Sequence, residues 1–285
     1  MSADGVPVLW HIKVSNFNEK ARWALDYKRI PHRRCAPLPL GHALVALALT
    51  RRVATFPVLQ LDGRAIGDST RIIAALERRF PDPPLYPGEP AMRHRALELE
   101  EFFDENLGPH VRRVAFWELL RAPDLMLARV GEMTTPRQGR VIAAAFPAVR
   151  ATMFRRYSIN ERSAGQSLLK VRAAMRLIED VLDAGDHLVG GQFTVADLAA
   201  AALLAPLIGP PELPYRDPDM PLPPRLAEIA GELRSLPAGQ WILRTYERHR
   251  PASAEIDPEP AFAENRRNGQ APGRGPLGAR QSRAD

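Results

Sequence analysis

The chain has 285 residues, of which 45% are hydrophobic and 25% are charged, a composition that suits a soluble two-domain protein. The formal net charge is +6, but basic residues are spread along the whole chain, so nucleic acid is not an expected partner. Cys35 is the only cysteine, which excludes an intrachain disulfide. The longest apolar runs are too short to span a bilayer and the N-terminus lacks a signal-peptide pattern, so we expect a cytoplasmic protein.

The first part of the chain alternates short apolar strands with helices, which is the pattern of an α/β layer fold. Strands are predicted at Val6–His11, His32–Leu38, Val58–Leu61 and Ala65–Gly67. Helices are predicted at Asn18–Lys28, Leu40–Arg51 and Thr70–Arg79. We therefore predict an α/β domain over residues 1–82, followed by a stiff proline-rich linker over residues 83–88.

From residue 89 onward the hydrophobic spacing is almost entirely helical. The predicted helical regions are Ala91–Leu120, Leu125–Tyr157, Ser163–Leu182, Leu222–Leu233 and Gly239–Arg248. We expect the second region to be interrupted near Thr135 and again at Pro147, because proline removes a helical hydrogen bond. Residues 208–224 are proline-rich and predicted to be irregular. This pattern predicts an all-helical domain over residues 89–250 and a disordered tail over residues 251–285, which offers little to bury.

A helix start in the second half has a complete local signature. Thr194 can cap the helix, and Asp197, three residues later, can accept a hydrogen bond from the Thr194 N–H. Phe193 and Leu198 occupy the positions of a hydrophobic staple on either side of this capping box. The role of this element is in folding and not in chemistry.

The most informative stretch has a strand–turn–strand–helix pattern. Pro57 enters an apolar strand, Asp62-Gly63 is a typical two-residue hairpin turn, and a helix begins soon after the second strand. A cis bond before Pro57 would leave the backbone groups of Phe56 free for a ligand. Asp68 and Ser69 bring a carboxylate, a hydroxyl and free N–H groups to the start of that helix. Together these groups predict a polar pocket suited to a small zwitterion.

This pattern resembles the N-terminal, thioredoxin-like domain of the glutathione transferase family, in which a cis-proline loop and a Glu/Asp–Ser pair hold the backbone of glutathione. The resemblance extends to the turn and helix of residues 15–25 and to the capping box at Thr194. It implies an α/β thioredoxin-like N-terminal domain joined to an all-α C-terminal domain, the glutathione transferase fold. It also implies that glutathione is bound by Phe56, Pro57, Asp68 and Ser69.

Ser15 follows the first strand and precedes a helix, where N–H groups and the helix dipole stabilise an anion. It matches by position the catalytic serine of serine-type bacterial members, so the resemblance implies that its hydroxyl donates to the glutathione sulfur. The residues alone also allow an ordinary helix N-cap. Asn16 departs from the proline that is usual at this point in the family, and we expect it to loosen the turn.

The resemblance implies a transferase with a role in detoxification, with glutathione as co-substrate, a small hydrophobic electrophile as partner and a homodimer as the assembly. No metal cofactor is expected, because the seven histidines show no close-spaced ligand pair and one cysteine cannot build a thiolate site. Two alternatives stay open. One is a non-catalytic protein-interaction module on the same fold, and the other is a transferase that uses another low-molecular-weight thiol.

Overall fold

The computed structural model describes residues 5–37, 42–132, 134–182, 185–216 and 219–257. The N-terminal part contains a four-stranded sheet with the order β2-β1-β3-β4. Strands β1 and β2 are parallel, whereas β3 is antiparallel to both β1 and β4. All four predicted strands are found, with bounds of Val8–Trp10 (β1), Arg33–Cys35 (β2), Val58–Leu61 (β3) and Arg64–Gly67 (β4).

The β3–β4 hairpin forms as the sequence predicts. Leu61 pairs with Arg64, so Asp62 and Gly63 alone make the turn. Both turn residues have positive φ, 47° and 77°, which is the backbone twist that a two-residue hairpin requires. The peptide bond between Phe56 and Pro57, just before β3, is cis.

Three helices accompany the sheet: Asn16–Tyr27 (α1), His42–Thr50 (α2) and Ser69–Arg79 (α3). Helix α1 begins two residues earlier than predicted, and the predicted start of α2 at Leu40 lies outside the described residues. Helices α1 and α3 form the core of this part with Leu9 and Leu59 of the sheet, all fully buried. The α/β character predicted for the N-terminal part of the chain is therefore confirmed.

The described residues after α3 are mostly helical. They contain eight helices in chain order: Pro90–Asn106 (α4), Gly108–Leu119 (α5), Pro123–Glu132 (α6), Pro136–Arg156 (α7), Glu161–Leu182 (α8), Val195–Ile208 (α9), Pro224–Ser235 (α10) and Pro237–His249 (α11). The helical fold class is confirmed, and the described residues between α9 and α10 are irregular as expected. The domain boundaries themselves stay predictions. In the described part of the chain, no helix is long and apolar enough to cross a membrane.

Two helix predictions are wrong in detail. The region predicted as one helix from Ala91 is divided at Leu107, because Pro109 lacks an N–H and restricts the backbone before it. Conversely, α7 continues through Pro147, where an interruption was expected. Pro147 and Ala143, whose carbonyl loses its helical partner, are both exposed, so water can satisfy that carbonyl.

The capping box at α9 is confirmed. Asp197 accepts hydrogen bonds from the N–H and the hydroxyl of Thr194, at 2.8 and 2.9 Å, and from the Leu188 N–H at 2.8 Å. All residues of α9 except Pro206 are buried, so this helix is the centre of the helical core. The staple residues Phe193 and Leu198 are buried in the same core.

The expectation of disorder from residue 251 onward does not hold for residues 251–257, while residues 258–285 lie outside the described part. The segment after α11 returns to the α/β domain, where the Ala254 carbonyl accepts from the His32 N–H and the Ile256 N–H donates to the His32 carbonyl. The Ala254 N–H also donates to Asp26 at 2.9 Å. Backbone pairing and a buried acceptor order this segment despite its polar composition.

A buried network of charges connects this segment to α1. Arg250 donates to Glu19 at 2.7 Å and to Asp26 at 2.8 Å. Asp26 also accepts two hydrogen bonds from Arg34, and Glu19 accepts one from Arg22. Burial alone would raise the pKa of Asp26, but Arg250 and Arg34 outweigh it and lower that pKa. Both carboxylates of α1 are thus paired with arginines inside the protein.

His32 lies beside this network in its neutral form. Its Nδ1 donates to the Ile30 carbonyl at 2.8 Å, and its Nε2 accepts from Arg34 Nε at 3.0 Å. A proton on Nε2 would remove the acceptor that Arg34 uses. Burial, together with the nearby Arg34, lowers the pKa of His32 from 6.5 to about 4.

We predict that His32 makes stability depend on pH. His32 takes up a proton near pH 6.5 in the unfolded chain but only near pH 4 in the folded chain. The contribution of neutral His32 to the free energy of unfolding is therefore complete above pH 6.5 and is lost as the pH falls to 4. The loss should approach about 3 kcal/mol. Urea unfolding from pH 7 to pH 4 measures it, with His32→Gln expected to reduce the slope and the exposed His94→Gln expected to retain it. An equal slope in the His32→Gln variant would contradict this assignment.

Candidate functional site

The turn between β1 and α1 presents the Ser15 hydroxyl. Ser15 occupies the N-cap position of α1 with φ −84° and ψ 131°, yet its side chain makes no capping hydrogen bond. Its Oγ instead accepts from Asn18 Nδ2 at 2.8 Å. Among the described residues the hydroxyl proton has no acceptor, so it is free to donate to a ligand. This geometry differs from that of an ordinary N-cap serine, whose oxygen would accept from the helix backbone.

Asn18 fixes the direction of that hydroxyl. Its Oδ1 accepts from the Ile12 N–H at 3.0 Å, so the amide nitrogen is the atom that faces Ser15. Asn18 is fully buried, which leaves its side chain little freedom to turn. The sequence predicts Asn18 only as the start of a helix and does not indicate this role. An amide three residues after a serine at a strand–helix turn is the signal that could have revealed it.

Asn16 attaches the same turn to the helical region. Its Nδ2 donates to the carbonyls of Gly108 and Leu203, at 3.3 and 3.2 Å, and its Oδ1 accepts from the Phe17 N–H at 3.0 Å. The expectation that Asn16 loosens the turn is therefore wrong. A proline at this position would lack these side-chain hydrogen bonds to α5 and α9.

Arg22 supports the turn from the interior. Its guanidinium donates to the Ile12 carbonyl at 3.2 Å and to the Ser15 carbonyl at 3.5 Å, and it lies 2.9 Å from His11 Nδ1. Burial, with Arg22 next in importance, holds the pKa of His11 well below its usual range. His11 is thus a neutral, buried acceptor for Arg22, which indicates a structural role.

The second group of predicted residues lies at the ends of β3 and β4. The Asp68 N–H donates to the Pro57 carbonyl at 3.3 Å, which brings the two loops together. The backbone N–H and carbonyl of Phe56 have no hydrogen-bond partner among the described residues. Asp68 has a φ of 79° and caps α3 through the Arg71 N–H at 3.2 Å. Ser69 follows it at the first turn of α3, where backbone N–H groups lack helical acceptors.

Behind the residues at the ends of β3 and β4, a buried lysine contacts side chains of two other helices and so joins three helices. Lys20 Nζ of α1 lies 2.8 Å from Glu100 Oε1 and 3.0 Å from Thr70 Oγ1. It also pairs with Asp104, whose second oxygen is buried and lacks a hydrogen-bond partner. Burial raises the pKa of Glu100, and Lys20 opposes that rise. These charges fix α3, which carries Asp68 and Ser69, relative to α1, which carries Ser15.

Residues 9–84 match the family model described as the N-terminal domain of glutathione S-transferase. A search of the curated proteins finds no match. In the described part of the chain, no group of three or more His, Cys, Asp and Glu side chains is placed to hold a metal ion.

Solved structures titled as glutathione S-transferases share the fold at low sequence identity. One from Methylobacterium radiotolerans, in complex with glutathione sulfonate, is 21% identical, with a TM-score of 0.51 and coverage of 90% of this chain and 99% of that one. One from Xanthobacter autotrophicus is 17% identical, with a TM-score of 0.58 and coverage of 91% and 99%. A beta-etherase from a Sphingobium species is 18% identical, with a TM-score of 0.56 and coverage of 84% and 99%. These similarities establish the fold.

We predict that Asn16 stabilises the contact between the turn and the helices. Asn16→Ala removes the donor shared by two carbonyls and should lower the free energy of unfolding by about 2 kcal/mol. Asn16→Asp should cost more, because it places a carboxylate against those carbonyls. Urea unfolding measures both variants. An Asn16→Asp protein as stable as the wild type would contradict the contact.

Proposed function

We propose that this chain, whose residues 9–84 belong to the family of glutathione S-transferase N-terminal domains, is a glutathione transferase-like enzyme. It activates the thiol of glutathione for attack on a small hydrophobic electrophile. The observation that carries the proposal is the Ser15 hydroxyl, which is oriented by Asn18 and free to donate at the N-terminus of α1. The crystal structure of the Methylobacterium radiotolerans protein with glutathione sulfonate supports glutathione as the ligand class.

The edge formed by Phe56, Pro57, Asp68 and Ser69 would hold the peptide. Asp68 offers a carboxylate to the glutamyl ammonium group, and the first N–H groups of α3, with the Ser69 hydroxyl, suit the glutamyl carboxylate. The unpaired N–H and carbonyl of Phe56 match the backbone of the cysteinyl residue. Each of these protein groups has the charge or the hydrogen-bonding type that the facing group of glutathione requires.

The thiol would then lie at the turn, within reach of Ser15. Its proton leaves to solvent, and the hydroxyl donates to the sulfur anion while the positive end of the α1 dipole favours the charge. The thiolate attacks the electrophilic carbon, so that a carbon–sulfur bond forms and the leaving group departs with its electron pair. No metal is required at any step.

The wider assignments follow from this proposal. Residues 1–82 would form the glutathione-binding domain, residues 83–88 the linker and residues 89–250 the domain that holds the electrophile. A homodimer, a cytoplasmic location and a role in detoxification complete the proposal. A different low-molecular-weight thiol would use the same Ser15 hydroxyl.

A second candidate function is a non-catalytic interaction module. The observation that favours it is the helical pair α6–α7, because α7 exposes apolar surface that includes Val141, whose exposed fraction is 64%. An exposed apolar helical surface of this kind suits contact with a partner protein. Binding of glutathione distinguishes the two candidates, since the module does not need it.

We predict that Asp68 is required for binding glutathione. Asp68→Asn retains the size and the capping oxygen but loses the charge, and should weaken binding by about tenfold or more. Calorimetric titration with reduced glutathione measures the change. Asp62→Asn, in the exposed hairpin turn of the same domain, is the matched control and should bind like the wild type. Absence of binding to the wild-type protein at millimolar glutathione would exclude glutathione as the thiol.

We predict that Ser15 and Asn18 contribute unequally to conjugation. Ser15→Ala removes the donor to the sulfur and should lower kcat/KM by about 100-fold. Asn18→Ala frees the hydroxyl to rotate and should have a smaller effect, about tenfold, while leaving the affinity for glutathione unchanged. Rates with an activated aryl halide measure both, with Ser235→Ala as a surface control. Activity of Ser15→Ala equal to that of the wild type would exclude Ser15 as the catalytic residue.

A further inference from the structure

A guanidinium that has no anionic partner among the described residues lies where the α/β domain meets the helical region. Arg112 belongs to α5, one turn after Gly108. The Phe17 ring packs on Gly108 so closely that a β-carbon there would come within 2.5 Å of Phe17 Cζ. Phe17 is two residues from Ser15 on α1, so Arg112 lies close to the turn that carries the proposed catalytic hydroxyl.

Two aromatic rings hold the Arg112 side chain. Its Cζ lies 4.5 Å from the centre of the Tyr157 ring and 5.9 Å from the centre of the Phe17 ring. Both distances are within the range of cation–π attraction. The Phe116 ring lies 6.0 Å from that of Tyr157, so the surroundings are largely aromatic. The rings fix the guanidinium, but they leave its N–H groups without acceptors.

No carboxylate of the described residues forms an ion pair with Arg112, and no described group accepts a hydrogen bond from it. Its charged neighbours are Arg113 and Arg156, both cations. Arg113 donates to the Tyr157 carbonyl and to Ser167 Oγ, so it is held by its own hydrogen bonds and does not neutralise Arg112. Burial lowers the pKa of Arg112 most, Tyr157 opposes that shift, and the two arginines lower the pKa further, yet a guanidinium keeps its charge at neutral pH. The site therefore has uncompensated positive charge.

We infer that Arg112 anchors an anionic group on the second substrate. The inference rests on the proposed function, since it assigns the chemical class of the electrophile: an aromatic compound that carries a carboxylate, sulfonate or phosphate. The planar fork of Arg112 donates to two oxygens of such a group, while Phe17, Phe116 and Tyr157 contact the apolar body. The anion thereby directs the reactive carbon relative to the thiol held at Ser15.

The test uses two fluorescent probes with the same aromatic skeleton. One, 8-anilinonaphthalene-1-sulfonate, is an anion, and the other, N-phenyl-1-naphthylamine, is neutral. The wild-type protein should prefer the sulfonate. Arg112→Met keeps the apolar stem and removes the charge, and should weaken sulfonate binding by about tenfold while changing the neutral probe little. The affinity of Arg112→Lys for the sulfonate should lie between the affinities of the wild type and Arg112→Met. Arg121→Met is the matched control, because Arg121 also stacks on a ring, 4.5 Å from that of Trp117, but away from Ser15.

Three results would overturn the inference: no preference for the sulfonate in the wild type, an unchanged preference in Arg112→Met, or an equal loss of both probes. The last would mean that Arg112 serves only to pack the two aromatic rings. The assay needs neither glutathione nor turnover, so failure of the calorimetric titration would reject the proposed function without affecting this result. A loss of sulfonate preference confined to Arg112 variants supports the anchor in either case.

Discussion

The structure depends most on the buried charges of α1. Glu19 and Asp26 point into the protein and are neutralised by Arg22 of α1 itself and by Arg34 and Arg250 from two other segments. Arg250 contacts both carboxylates. Removal of Arg250 would leave each carboxylate with a single arginine, and breaking a buried pair costs about 3–5 kcal/mol. Because Arg22, paired with Glu19, also supports the Ile12–Ser15 turn, the position of the proposed catalytic hydroxyl depends on this network.

Two asparagines connect this turn to the surface of the proposed site. Asn18 orients the hydroxyl of Ser15, and Asn16 connects the same turn to α5 and α9. The proposed thiol site and the helices proposed to hold the electrophile are therefore connected by one short segment. A rearrangement of the helices would move that segment, and a small displacement of a reacting group is enough to reduce a rate substantially.

Features set by short-range chemistry could be predicted from the sequence. The hairpin at Asp62-Gly63 and the capping box at Thr194 need only a few consecutive residues, and both form as expected. Local rules also produced errors: Pro147 stays within a helix because its side of α7 faces solvent, a tertiary property.

The charged network could not be predicted, because its members are separated by up to 231 residues. Neither could the order of residues 251–257, whose polar composition gives no indication that Asp26 and His32 supply hydrogen-bond partners. For the site, the sequence identified the residue types of Ser15 and Asp68, but the orienting amide of Asn18 became visible only with the atoms in place. In the sequence Arg112 is one arginine among many, and only the structure shows that no carboxylate of the described residues pairs with it.

The central claim is that the Ser15 hydroxyl stabilises the thiolate of bound glutathione. The most direct measurement is the pKa of that thiol, obtained from the ultraviolet absorbance of the thiolate as a function of pH with the protein saturated by glutathione. The account predicts a pKa below that of free glutathione in the wild-type protein and a return toward the free value in Ser15→Ala. The same depressed pKa in both proteins, or no depression in the wild type, would contradict it.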